Sequence, residues 1–353
     1  MNIRRSTRLY EDWLRHQLEG DVVKPDLVRK HRKMRESPFV FLRATYWRWA
    51  EIILDVCPDL AGAEEALAIG DAHLENFGTW RDADGRLTWG VNDFDEAARM
   101  PYTLDLVRLA ASALLARGRR HMTADAICSS LLEGYEAGLG NPRAIVLDRD
   151  HAWLRETVIV PEKERAKFWD KMAAARKKAA PASYRTALDA AMPHPGLGLR
   201  VVSRSAGTGS LGRPRWVGIA EWQGAPVVRE AKAVVSSAWL RPHGRGSGRI
   251  RVAEIANGRF RSWDPWFKLN GRIAVRRLSP NNRKIEADKA VALLLMPDML
   301  RVMGFEIANV HVGTRPSWAE ISRDLSKRRG GWLAASANRA VEAVARDYAD
   351  WAS

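Results

Sequence analysis

The sequence predicts an α+β fold in two lobes, on three observations. Helical texture fills residues 1 to 64, 103 to 192 and the last 70, and a β-rich stretch interrupts it between residues 196 and 279. The third observation is size: 353 residues, 46% of them hydrophobic, suffice for two packed bodies. The expected divisions are 1–64, an N-terminal helical segment; 65–195, helices and loops with acidic motifs; 196–283, the β-rich lobe; and 284–353, closing helices. No repeat or low-complexity linker separates them, so the lobes are expected to pack against each other.

In chain order, Tyr10, Trp13, Leu14 and Leu18 recur at helical spacing, and the apolar run 39 to 54 lies between Pro38 and Pro58. Around Asp82-Ala83-Asp84-Gly85 the pattern shortens to Phe77-Gly78-Thr79-Trp80 and Leu87-Thr88-Trp89, a hairpin signal. Residues 103 to 192 are Ala-rich and helical, punctuated at Pro142, Pro161 and Pro181. Strands are expected at Arg200-Val201-Val202, Trp216-Val217-Gly218-Ile219-Ala220, Pro226-Val227-Val228 and Ile273-Ala274-Val275. Helices are expected over 250 to 261, as a pair over 286 to 314, and over 333 to 352.

Composition excludes several classes. With 57 Lys plus Arg against 42 Asp plus Glu, the chain carries a formal charge of +15, which favours anionic partners such as nucleotides or nucleic acid. Most of this charge is expected on solvated helix faces, and no zinc-finger spacing or RNP-like aromatic motif accompanies it. The best apolar run, 290 to 296, stops at Pro297 and Asp298, short of the roughly 20 residues a membrane span needs. A secretory signal is not expected, and two cysteines, Cys57 and Cys128, make neither a disulfide framework nor a zinc site. A reducing cytoplasm is the expected compartment.

Two motifs carry chemistry. The first is Ile69-Gly70-Asp71-Ala72-His73-Leu74-Glu75-Asn76-Phe77 with Val91-Asn92-Asp93-Phe94-Asp95-Glu96-Ala97. Asp71 and Asn76 enter the hairpin and Asp93 leaves it, so the hairpin is expected to bring both acidic loops together. One carboxylate near a hydroxyl accepts its proton, while an amide oxygen and further carboxylates hold Mg²⁺; Asn76, Asp93 and Asp95 are the candidate ligands. His73 joins Asp71 among the catalytic candidates as a residue that orients the loop, since no second histidine lies at metal-ligand spacing. The second motif is Gly207-Thr208-Gly209-Ser210-Leu211-Gly212, a G-x-G-x-x-G. A dinucleotide fold needs a helix after these glycines, whereas strand residues follow, so they belong to a β-turn-β tip where Gly207, Gly209, Ser210 and Gly212 approach phosphates. Lys232 on the next strand, or Arg229 on its opposite face, is the phosphate-pairing cation, and Glu254 is the carboxylate expected to pair with the lysine.

Ser37-Pro38-Phe39-Val40-Phe41-Leu42-Arg43, Gly70-Asp71-Ala72-His73-Leu74-Glu75-Asn76-Phe77-Gly78, Asn92-Asp93-Phe94-Asp95-Glu96-Ala97 and Asp105-Leu106-Val107-Arg108-Leu109-Ala110 resemble the bacterial family called domain of unknown function 2252. That family is distantly similar to aminoglycoside phosphotransferases and protein kinases, whose D-x-x-x-x-N and D-F-G segments match Asp71, Asn76 and Asp93. The resemblance implies a protein-kinase-like fold, with Asp71 as base, Asn76 and Asp93 as Mg²⁺ ligands and Asp105 as a buried structural carboxylate. Asp95 departs from it, standing at the glycine of D-F-G, and so does Ile69, where phosphotransferases usually have histidine. The glycine motif follows Asp71 by more than 130 residues, the reverse of kinase order, which implies a circular permutation with residues 196–283 as the nucleotide lobe.

The expected function is ATP- and Mg²⁺-dependent phosphoryl transfer to a hydroxyl on a small molecule or protein, with Arg43 and Arg108 either as extra cations near the phosphates or the acceptor or as anchors of Asp105 or Asp95. The alternatives are AMP transfer, a catalytically inactive nucleotide-binding protein, a basic nucleic-acid-binding module, and a metal-dependent hydrolase built on Asp71, His73, Asp93 and Asp95.

Overall fold

The computed structural model describes residues 1–118, 122–244, 248–314 and 318–353. Four helices open the chain: α1 (Ile3–Gln17), α2 (Lys24–Lys33), α3 (Pro38–Ala44) and α4 (Tyr46–Val56). Asn2 caps α1 by accepting the Arg5 N–H, and Ser37 caps α3 ahead of Pro38, the position where a missing N–H costs nothing. Strand β1 (Glu65–Ala68) leads to the hairpin β2 (Phe77–Arg81) and β3 (Leu87–Val91), then β4 (Ala98–Pro101) returns antiparallel to β1. Helices α5 (Thr103–Ala116) and α6 (Ala124–Gly140) follow, then the short β5 (Ile145–Val146) on β3, and α7 (Ala152–Val158), α8 (Glu162–Ala174) and α9 (Ala182–Asp189).

The β-rich stretch forms one antiparallel sheet of β6 (Arg200–Ser203), β7 (Arg215–Trp222), β8 (Ala225–Ala233), β9 (Lys268–Asn270) and β10 (Ile273–Arg277), in the order β6-β7-β8-β10-β9. Short helices α10 (Leu240–His243) and α11 (Val252–Ala256) lie between β8 and β9; α12 (Ala287–Leu294), α13 (Pro297–Val312), α14 (Ala319–Lys327) and α15 (Trp332–Ala352) complete the chain. Alternation along the strands divides this sheet between two covers. Val201, Ala231, Ala233 and Val275 pack with Tyr184 and Leu188 of α9, while Val202, Val217, Ile219 and Val228 pack with Met172 of α8.

The main core lies among α4, α5, α6, α13 and α15. Helices α6 and α13 cross at backbone contact because three crossing positions lack side chains. A Cβ on Gly134 would lie 1.9 Å from the Arg301 carbonyl oxygen, one on Gly138 2.7 Å from Ala308 Cβ, and one on Gly304 2.1 Å from the Leu131 carbonyl oxygen.

The expected α+β class, the hairpin, four of the strands and the long last helix are present. The helix expected over 250 to 261 is confined to Val252–Ala256, because Asn257-Gly258 ends it with the Gly258 N–H on the Ile255 carbonyl. Strand β9 and the β1–β4 pair were not expected. Among the described residues no helix is long and apolar enough to cross a membrane.

Candidate active site

The acidic loops are built on β1 and the β2–β3 hairpin. After β1 the chain turns at Gly70, whose φ of +82° and contact with Glu96 leave no room for a side chain: a Cβ there would lie 2.3 Å from the Glu96 carbonyl oxygen. Asp105, fully buried on α5, accepts the N–H groups of Ile69 (2.6 Å) and Gly70 (2.9 Å) and holds His311 Nε2 at 3.1 Å. This is the structural role expected of it. Asn76 joins the two loops: its Nδ2 donates to the carbonyls of Asp71 (3.0 Å) and Asp93 (2.7 Å), and its Oδ1 accepts the Asp93 N–H (3.0 Å).

Asp71 is held through one oxygen. Arg108, buried over the rings of Tyr46 and Trp49, donates from Nε (3.0 Å) and Nη2 (2.5 Å) to Asp71 Oδ1 and from Nη2 to the Leu42 carbonyl (2.8 Å). Burial raises the Asp71 pKa and outweighs the pull of Arg108. His73 Nδ1 accepts the Glu75 N–H (3.1 Å), and burial drives its pKa well down, so it is a neutral brace of the loop. Arg43 pairs with Glu75 at 2.8 Å. Neither arginine anchors Asp105 or Asp95.

The five-stranded sheet forms the roof. Its glycine motif lies between β6 and β7, at the expected β-turn-β position, and descends onto the acidic loops. A Cβ on Gly209 would lie 3.2 Å from both Asp71 Oδ2 and the Arg43 carbonyl oxygen, so the backbone reaches the carboxylate because nothing projects from it. Ser210 Oγ accepts from Arg215 Nη2 at 2.9 Å. Gly212 is turned away from the cleft, packed on Leu27 of α2, with its carbonyl accepting the Val23 N–H. On β8, Lys232 Nζ lies 2.7 Å from Asp95 Oδ1 and 3.3 Å from Asp93 Oδ1. Burial would raise the Asp93 pKa, but Lys232 and then Lys284 hold it well below the carboxylate range. Asp95, buried between Lys232 and Arg213, is pushed up by burial and by Asp93.

Two residues expected at the phosphate site, one as the lysine's partner and one as its rival, are elsewhere. Glu254 pairs with Arg249 (3.1 Å) and Arg251 (2.9 Å), its neighbours in sequence, while Lys232 is taken by the two aspartates. Arg229 faces the other side of the sheet, where its Nε donates to the Ala191 carbonyl (2.9 Å) and its guanidinium stacks 4.4 Å from the Trp266 ring centroid. Strand alternation therefore assigns the cleft side to Lys232.

Roof and loops enclose a cavity of about 860 Å³, lined by Asp93, Asp95, Gly207, Thr208 and Lys232, with Phe94 and Phe267 among its apolar walls. A space of about 50 Å³ is lined by Asp71 and the glycine loop together. Sequence reasoning missed Lys284, which lines both spaces, has no ion pair among the described residues, and is pushed down to about 8 by burial and Arg43. It also missed Glu230, whose spacing of two from Lys232 was a legible signal that both share a face.

Lys30, another residue missed, is buried with its Nζ on the Gly209 carbonyl (2.7 Å) and over the Tyr10 and Trp47 rings. Burial, with Arg213 adding repulsion, lowers its pKa from 10.5 to about 7. Between those values the unfolded chain keeps a proton that the folded one has shed, so this residue makes stability rise with pH across that window. Below about 7 both states are protonated and the folded state bears the full cost. Lys30→Met is expected to flatten that rise, measured as urea midpoints of both proteins below, within and above the window; identical pH profiles would refute the assignment.

The helical body, the paired acidic loops and the glycine-loop sheet define an α+β protein with a deep, charged cleft. The model of the family of uncharacterized proteins conserved in bacteria, domain of unknown function 2252, matches residues 23–202, just over half of the chain, and the chain belongs to that family. The match includes Asp71, Asn76, Asp93, Asp105 and Arg108 and ends within β6, before the glycine loop. No curated protein and no solved structure matches the chain.

Proposed function

We propose that this protein is an ATP- and Mg²⁺-dependent phosphotransferase that acts on a hydroxyl acceptor through a kinase-like arrangement in permuted chain order. One observation carries the reading: the glycine loop from the first two strands of the sheet lies over Asp71, and Lys232 on the third strand reaches Asp93. Protein kinases handle the phosphates with the same parts, a glycine-rich loop, a lysine on the third strand and an aspartate for the metal.

Asp93 fits a metal. Its side chain is 38% exposed at the cleft, and its Oδ2 accepts no hydrogen bond from the described residues. The Asn76 amide is occupied in joining the loops, and Asp95 in two ion pairs. Among the described residues no group of three or more His, Cys, Asp or Glu is placed to hold a metal, which also weighs against the hydrolase alternative. Magnesium held by one carboxylate, nucleotide phosphates and water suits this donor set, and when bound it neutralises charge on the phosphates.

The chain's own residues perform the remaining work. Arg108 occupies Oδ1 of Asp71, leaving Oδ2 to accept the acceptor's hydroxyl proton. The acceptor oxygen then bonds to the γ-phosphorus, the bond from that phosphorus to the β-phosphate oxygen breaks, and ADP departs. A carboxylate whose pKa is raised by burial is the better proton acceptor. The narrow space above Asp71 requires the glycine loop to lift before an acceptor enters.

Thermal unfolding with ATP and MgCl₂ tests the reading. Ligand at a hundredfold its Kd adds about 2.7 kcal/mol, so the wild type is expected to show a magnesium-dependent rise in Tm that Asp93→Asn abolishes. No magnesium-dependent rise in the wild type would sink the proposal. With a hydroxyl acceptor, label from γ-labelled ATP is expected on the product; label from the α-phosphate would mean AMP transfer instead.

A further inference from the structure

Glu230, fully buried on β8, accepts hydrogen bonds from Arg204, from Arg215 Nη1 (2.6 Å) and from Arg276 Nε (3.0 Å). The sheet register produces this convergence. Arg276 lies directly across from Glu230, and Arg215 directly across from Lys232 two residues on, so all four face one side. Directly opposed like charges destabilise a sheet. Asp93 and Asp95 offset Lys232 and draw in part on Arg276, but Glu230 is the single carboxylate hydrogen-bonded to the three guanidiniums, which leaves positive charge in surplus beside the cleft. Arg204 registers the surplus: burial draws its pKa down against the pull of Glu230, and Arg276 and Arg215 add to the fall.

The surplus is also available to a ligand. Arg204, Arg215 and Arg276 all line the large cavity. The side chains of Arg204 and Arg276 are 25% and 35% exposed, and each keeps N–H groups that no described residue accepts. Arg215 ties the cluster to the glycine loop through Ser210.

We propose that Arg204, Arg215 and Arg276 form a phosphate-chain site, which grips two or more linked phosphates directly and without a metal ion. Guanidinium forks match phosphate oxygens in pairs, and cations spread along the strands suit a chain of phosphates better than a single one. The inference rests on the nucleotide reading only for the location of the cleft. It uses different residues and needs neither Asp93 nor magnesium. The chain could come from a nucleoside triphosphate or from an inorganic polyphosphate.

Isothermal titration in metal-free buffer separates these cases, with inorganic tripolyphosphate, ATP and adenosine titrated into wild type, Asp93→Asn, Arg204→Gln and Arg276→Gln. Tripolyphosphate and ATP are expected to bind wild type and Asp93→Asn, and each arginine variant to weaken both by roughly tenfold or more. ATP binding more tightly than tripolyphosphate identifies a nucleotide chain; equal affinity identifies an inorganic one. Absence of metal-free tripolyphosphate binding to the wild type overturns the proposal, as does unchanged affinity in folded arginine variants. Arg276→Lys, which keeps the charge and loses the fork, serves if Arg276→Gln does not fold, and is also expected to bind more weakly. Metal-free binding together with no magnesium-dependent rise in Tm would end the phosphotransferase proposal and leave this site standing.

Discussion

Asp71→Asn is expected to lower phosphoryl transfer by about 10²–10⁴-fold while leaving the ATP-dependent rise in Tm in place. The asparagine keeps an oxygen for Arg108, so the buried guanidinium retains its acceptor and the loop its shape. What it loses is the basic oxygen facing the glycine loop. Initial rates with γ-labelled ATP, measured beside the melting curves, separate lost chemistry from lost binding. A variant that transfers at the wild-type rate would remove Asp71 from the role of base. One that no longer responds to ATP would show that the residue matters to the cleft as a whole.

Asp105→Ala is expected to cost about 3–5 kcal/mol of stability, among the largest losses a single substitution in this chain can cause. The carboxylate has no exposure and satisfies two backbone N–H groups and a histidine. Deleting it leaves the Ile69 and Gly70 N–H groups buried without acceptors, at the turn that aims Asp71. Asp105→Asn is expected to fall between, since one of its two terminal atoms would present a donor to a donor. Urea unfolding of the three proteins checks the order. A loss below about 1 kcal/mol for the alanine variant, the net worth of an ordinary hydrogen bond, would mean that the turn holds without Asp105.

The parts of the site that were legible are those set over short stretches of chain. Asp71, Asn76 and Asp93 flank one hairpin whose turn, Asp82-Ala83-Asp84-Gly85, announces itself, so their meeting follows from local rules. The strands around Gly209 and Lys232 could be read in the same way, from alternation and turn residues. Partners chosen by sheet register could not. Arg204, Arg215, Glu230 and Arg276 meet only once β6, β7, β8 and β10 are aligned, and a one-residue slip would send them to opposite faces. Glu254 failed for the converse reason: an arginine three residues away on the same helical turn needs no register to capture it. Lys30 carried no signal, because a lysine at helical spacing normally points to water and its burial depends on aromatic rings from two other helices.

The bare glycine crossing of α6 and α13 has a consequence for the nascent chain. Helix α6 ends at Gly140 and its partner is complete only at Val312. At roughly 5–20 residues per second, the ribosome needs on the order of ten to thirty seconds to supply that partner. Throughout this interval the seam of α6 lacks its cover, and for about the first half of it Asp93 and Asp95 also lack Lys232, the lysine that pairs with them. The face of α6 that Gly134 and Gly138 shape for α13 thus stays open for as long as the chain between the two helices takes to make.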